Sequence, residues 1–90
     1  MKLLEKKARI CKILSVSTRL QILELLKERC FCVNALSHQL GITPAAVSQH
    51  LRILRDAGVV TAEKRGYHVH YSLEKTTLSE WYMLLKDLLE

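Results

Sequence analysis

The stretch Leu36 to Leu54, LSHQLGITPAAVSQHLRIL, limits what this chain can fold into more than any other. Gly41 stands where a first helix must stop, because glycine takes the left-handed conformation past a helix end at little cost. Thr43 can cap a new helix, and Pro44 suits its first position, where no N–H is needed. Val47, Leu51 and Leu54 then recur on one helical face. The opposite face carries Ala45, Ser48, Gln49 and Arg52. The stretch therefore reads as helix, tight turn, helix, with an outer face that is small, polar and cationic. Such a face can enter the major groove, where Ser, Gln and Arg match base-edge donors and acceptors. An ordinary αα-hairpin with a solvated polar face would carry the same cap and proline.

The residues beyond this helix separate the two readings better. Gly58 closes the helix at 44–57, and the period changes to two. Val59 to Lys64 reads as a strand, Arg65-Gly66-Tyr67 as a turn and His68 to Leu73 as a returning strand. Val69, Tyr71 and Leu73 are expected to face the core, and His68, His70 and Ser72 to face out. A hairpin at 59–73 with Lys64 and Arg65 at its tip is a wing, placed to touch phosphate or the minor groove.

Before the central stretch, Lys2 to Leu14 reads as a helix with Leu3, Ile10, Ile13 and Leu14 on one stripe. Lys6, Lys7, Arg9 and Lys12 make the rest of it basic, and a solvated face is favoured there over a DNA contact. Ser15 and Ser17 are both candidate caps for a helix over Arg19 to Arg29. The apolar residues Leu20, Ile22, Leu23, Leu25 and Leu26 point nearly all round that helix, which places it at the centre of the core. Cys30 to Val33 is a connection with room for a short strand, and Asn34 is expected to cap a helix over Ala35 to Leu40. Near the end, Thr77-x-x-Glu80 reads as a capping box. Leu78, Trp81, Tyr82, Leu85, Leu88 and Leu89 make a wide apolar face on the last helix. A small domain should not expose that much, so this face, with Leu3 and Ile10 of the first helix, is expected to form a two-fold dimer interface.

Ninety residues allow one domain over 1–90. A formal charge of +5 suits nucleic acid or an anionic surface, and residues 1–29 hold eight basic against three acidic residues. No stretch approaches the roughly 20 apolar residues of a membrane span, and the N-terminus lacks a signal-peptide pattern. The chain thus reads as soluble, cytoplasmic and without a membrane partner. Three cysteines argue against a closed disulfide framework.

The order of elements and the residues together resemble the ArsR/SmtB family of winged-helix repressors, over about residues 10–75. STRLQILELL is similar to that family's second-helix opening, VSQHLRILRDAGVV to its recognition helix and exit into the wing, and GYHVHYSL to its returning wing strand. The resemblance implies an α+β, mostly helical winged helix-turn-helix of order ααααββα, with N- and C-terminal helices forming the dimer interface. It also implies a homodimeric repressor that binds an inverted-repeat operator in double-stranded DNA. Thr43, Ala45, Ser48, Gln49 and Arg52 would then meet DNA, with Lys64, Arg65 and His68 on the wing. Members that sense thiophilic metals carry a Cys-Val-Cys unit at the start of the third helix. Here Cys32 falls on its first cysteine, Asn34 falls on its second, and Cys30 lies two residues early.

Cys11, Cys30 and Cys32 are the candidate thiols for a metal, a metalloid or a redox signal. Two thiolates are too few for a closed site, so Cys11 or a partner subunit would have to complete it. Packing as small hydrophobes is the plainer account, so no metal site is expected, and a thiophilic metal or metalloid ion is the one cofactor left open. His68 and His70 share a strand face with no acidic or cysteine partner evident. His50 lies on the inner helix face as a packed, hydrogen-bonded histidine. No catalytic set can be placed, so no enzyme is expected. Besides an operator-binding regulator, two readings remain: a thiol-dependent sensor, and a winged helix used only to bind protein.

Overall fold

A computed structural model describes all of residues 1–90. Five helices and three strands run in the order α1 (Lys2–Leu14), α2 (Ser17–Glu28), β1 (Phe31–Cys32), α3 (Val33–Leu40), α4 (Pro44–Asp56), β2 (Val60–Arg65), β3 (His68–Leu73) and α5 (Lys75–Leu89). The winged helix-turn-helix expected from the sequence is present, with one addition. The Cys30–Val33 connection contains the short strand β1, which makes a third strand in an antiparallel sheet of order β1-β3-β2. Phe31 pairs with Tyr71 and Cys32 with His70. The wing strands pair from Val60 with Leu73 out to Arg65 with His68.

The core lies between the helices and the base of this sheet. α2 supplies Ile22, Leu23 and Leu26, α4 supplies Val47, Leu51 and Leu54, and α3 supplies Leu36. Phe31, Val59 and Val60 close the sheet side, and Ile10, Ile13 and Trp81 come in from the terminal helices. α2 touches α1, α3, α4 and β3, as its central place requires, but it is not buried all round: Leu20 is 45% exposed. Arg19 is buried, and its Nε donates to the Ile13 carbonyl at 2.8 Å. That bond satisfies an acceptor at the end of α1 that the helix itself leaves open.

Several local expectations give way to tertiary context. Neither Ser15 nor Ser17 caps α2, whose N-cap is Val16. The Ser15 hydroxyl instead donates back to the Lys12 carbonyl at 2.7 Å. α3 begins at Val33 because β1 delivers the chain there, so Asn34 lies inside the helix and caps nothing. α5 begins at Lys75, capped by the Glu74 carboxylate, which accepts from the Thr76 N–H at 3.4 Å. The Glu74 N–H donates to the Val59 carbonyl at 2.8 Å and fixes where the chain leaves the sheet, which leaves Thr77 and Glu80 in the helix interior. Lys7 is not on a solvated side: it is 5% exposed and paired with Asp87 at 2.6 Å, while Lys6 pairs with Glu80. Val69, expected in the core, is exposed because it pairs with Lys64 far out on the wing.

The terminal helices sort their apolar residues into two sets. Ile10 and Trp81, expected at a dimer interface, are buried in the chain's own core, and Leu78 and Leu85 pack partly against it. Leu3, Tyr82, Leu88 and Leu89 stay exposed, and Met83 joins them.

Candidate nucleic-acid interface

The turn before α4 is held at both ends. Gly41 ends α3 at φ +68°, with its N–H on the Ser37 carbonyl. The Ser37 hydroxyl donates across the turn to the Ile42 carbonyl at 2.5 Å. Thr43 Oγ1 then accepts from the Ala46 N–H at 3.1 Å, and Pro44 takes the first helical position. At the far end, Gly58 N–H bonds the Arg55 carbonyl and Val59 N–H bonds the Leu54 carbonyl. That pair of bonds around a glycine at φ +81° is a Schellman closure.

A helix anchored in this way presents its outer face rigidly. Val47 and Leu54 on the inner face are wholly buried. Ala45, Ser48, Gln49 and Arg52 are all exposed. None of the three polar side chains among them makes a hydrogen bond or ion pair within the chain, so their donors and acceptors are free for a ligand. Thr43 is exposed too, with its oxygen engaged as the cap. Ser48, Gln49, Arg52, Arg55 and Asp56 line one open recess of about 400 Å³ together with Tyr71 of β3. The helix face and the wing base therefore share one concave surface. Arg55 was not among the residues singled out from the sequence, although its place three residues beyond Arg52 was a usable signal.

The wing is a two-residue hairpin. Gly66 sits at φ +63° in the first turn position, and Tyr67 comes next with an ordinary negative φ, the pattern of a type II′ turn. Tyr67 is fully exposed at the tip, and sequence reasoning gave it no role. Lys64 and His68 are exposed. Arg65 is exposed but already engaged. Its Nε donates to Glu63 at 3.0 Å, and Nη1 reaches the Cys30 sulfur at 3.6 Å. The hydrogen bond to Glu63 first, then the neighbouring Cys30 and the Glu63 carboxylate, raise its pKa above the ordinary arginine value, so the group stays cationic.

His70 departs from its expected isolation: its Nδ1 lies 3.4 Å from Cys30 Sγ. The pairing of β1 with β3 brings the two together, and nothing in the local sequence showed it. Cys11 is exposed, whereas Cys30 and Cys32 are half-buried. No three of the His, Cys, Asp and Glu side chains gather into a group that could hold a metal ion. A cysteine and a histidine supply two ligands where a closed thiophilic site takes about four, so within one chain these residues do not close a metal site. The inner-face His50 is only half-buried, and its Nδ1, though buried, has no hydrogen-bond partner.

Comparison with known proteins agrees with this geometry. Residues 16–62 match the family described as bacterial regulatory protein, arsR family. The chain is 32% identical over 71 residues to the transcriptional repressor SdpR of Bacillus subtilis, covering 79% of each. It is 38% identical over 71 residues to the HTH-type transcriptional repressor SmtB of Mycobacterium tuberculosis, covering 79% of this chain and 53% of that one, so it spans about half of SmtB. Among solved structures, a homodimeric winged helix-turn-helix DNA-binding domain from Mycobacterium bovis superposes with a TM-score of 0.78 at 27% identity, covering 97% of this chain and 82% of that one. These relatives are regulators and not enzymes. On the matched segment, the identities and the shared fold together, this chain belongs to the arsR family of bacterial regulatory proteins.

Proposed function

We propose that this ArsR-family DNA-binding regulator works as a homodimeric repressor that reads an inverted-repeat operator in the cytoplasm. The observation that carries the reading is the row Ser48, Gln49 and Arg52. It is exposed and unpartnered within the chain, on a helix whose other face is locked into the core. Ser48, Gln49 and Arg52 contact base edges in the major groove. Thr43 and Ala45 lie at the entering end of α4, and Lys64, Arg65 and His68 contact backbone from the wing. The repressor relatives SdpR and SmtB support the sign of regulation. The homodimeric M. bovis domain supports the assembly. The exposed residues Leu3, Tyr82, Leu88 and Leu89 supply an apolar surface that a second copy would cover. Two α4 helices would then lie about 34 Å apart along the duplex. No helix is long and apolar enough to cross a membrane.

The test is fluorescence anisotropy with DNA from the region upstream of the protein's own coding sequence, against random-sequence DNA of equal length, over a salt series. Operator binding should exceed random binding by about 10³-fold or more. The logarithm of affinity should also fall linearly with the logarithm of salt. Equal binding of both DNAs would overturn the reading and favour a winged helix that binds protein. Sedimentation of the free protein as a monomer at micromolar concentration would overturn the dimer.

A further inference from the structure

Cys30 occupies a place that no other thiol of the chain shares. Its sulfur lies 3.4 Å from His70 Nδ1 and 3.6 Å from Arg65 Nη1, and so joins the β1 edge to both wing strands. The imidazole can take the thiol proton, and the guanidinium faces the charge that builds on sulfur. Cys30 is also one wall of a recess of about 390 Å³. Lys27, Arg29 and Lys75 line it with one carboxylate, Glu28, and Lys27 is paired with Glu24 at 3.1 Å, which leaves Arg29 and Lys75 as the free cations. Arg29 is held over the Phe31 ring at 4.1 Å, and Lys75 has no partner within the chain. A nucleophile with a base, a cation and an adjoining basic recess fits a small disulfide whose thiol halves carry carboxylates.

We propose that Cys30 is a site of reversible mixed-disulfide formation with an anionic low-molecular-weight thiol, supplied as its disulfide. In the step, the Cys30 proton passes to His70 Nδ1 and Cys30 Sγ attacks one sulfur of the small disulfide. A new S–S bond forms as the old one breaks, and the departing sulfur leaves with the bonding pair as thiolate, later taking a proton from His70 or water. The Cys30 sulfur is oxidised and the departing sulfur reduced, so no further oxidant is needed. An excess of small thiol runs the same exchange backwards. The adduct takes the sulfur away from Arg65 and places negative charge at the base of the wing, so it weakens DNA binding. That consequence rests on the function proposed above, whereas the chemistry of the site does not.

The experiment treats the reduced protein with glutathione disulfide, or with the cationic disulfide cystamine, and maps adducts by mass spectrometry. Exposure alone would make Cys11 react first, since it is the exposed thiol. The proposal expects Cys30 to react about tenfold faster than Cys11, and faster with glutathione disulfide than with cystamine. It expects His70→Gln to slow Cys30 about tenfold and flatten its pH–rate profile, with Cys11 labelling unchanged as the control for folding. Cys11 reacting first, cystamine reacting faster, or His70→Gln leaving the Cys30 rate unchanged would overturn the site. Operator affinity should fall at least tenfold in the adduct and return on reduction, and should not respond in Cys30→Ser. An adduct at Cys30 with unchanged operator affinity would overturn the link to the wing. A reduced protein that binds no operator would overturn the repressor reading and leave the thiol site to be judged by mass alone.

Discussion

Lys7 of α1 and Asp87 of α5 meet at 2.6 Å, the lysine side chain 6% exposed and the aspartate 74%. A nearly buried ammonium with one partner is exposed to the loss of that partner, because the charge left behind is uncompensated. Asp87→Asn should therefore cost about 1–3 kcal/mol, below the about 3–5 kcal/mol of a fully buried broken pair because Asp87 itself is wet. Lys7→Met keeps the length and removes the charge, and should recover most of that loss in the double variant. Urea denaturation at one fixed protein concentration checks both. No change in Asp87→Asn would mean that water solvates Lys7 unaided.

Arg52 and Lys64 are both exposed cations, but the proposed interface gives them different work. Arg52→Ala should weaken operator binding by about 1–3 kcal/mol and relax the base preference at one position. Lys64→Ala should weaken operator and random DNA alike and reduce the salt slope by about 1. Binding to a panel of single-base operator variants separates the two patterns. The reverse assignment would move base reading from α4 to the wing.

Trp81 and Leu89 lie on the same helix and should fail in different ways. Trp81 is buried in the core, so Trp81→Ala should cost about 3–5 kcal/mol and lower the melting temperature sharply. Leu89 is 83% exposed, so Leu89→Glu should leave the helical circular-dichroism spectrum intact and shift the protein towards monomer. Sedimentation velocity together with thermal melts reads both effects. A Leu89→Glu protein that remains dimeric would place the interface elsewhere.

Gly58 isolates backbone strain from crowding. A Cβ added there would meet Thr77 Oγ1 at 3.9 Å, an ordinary contact, yet φ is +81°. Gly58→Ala should cost about 1 kcal/mol for the left-handed backbone alone, and Gly58→Asn less, because asparagine tolerates that region better. Thermal unfolding of the two variants tests the order.

The elements that depend on a few neighbouring residues are legible in the sequence alone. Gly41, Thr43 and Pro44 determine the turn, Gly58 the end of the recognition helix, and the switch to period two the wing. The exposed row Ser48, Gln49 and Arg52 also comes from helical periodicity once Val47, Leu51 and Leu54 are taken as the inner face. Local signals give way where a long-range bond competes with them. Thr77 and Glu80 form a good capping box, but the bond from Glu74 N–H to the Val59 carbonyl starts α5 earlier.

The remaining features are decided only by the tertiary structure, because they join residues far apart in the chain. Helical spacing puts Ile10, Trp81, Leu88 and Leu89 on apolar faces alike. Only the packing of α1 and α5 against the body assigns the first two to the core and leaves the last two outside. The same packing brings Lys7 to Asp87. The pairing of β1 with β3 brings Cys30 to His70 and Arg65, and the strand responsible is two residues long. So short a strand has no periodicity to read. Its place and register come from the edge of the wing that it joins.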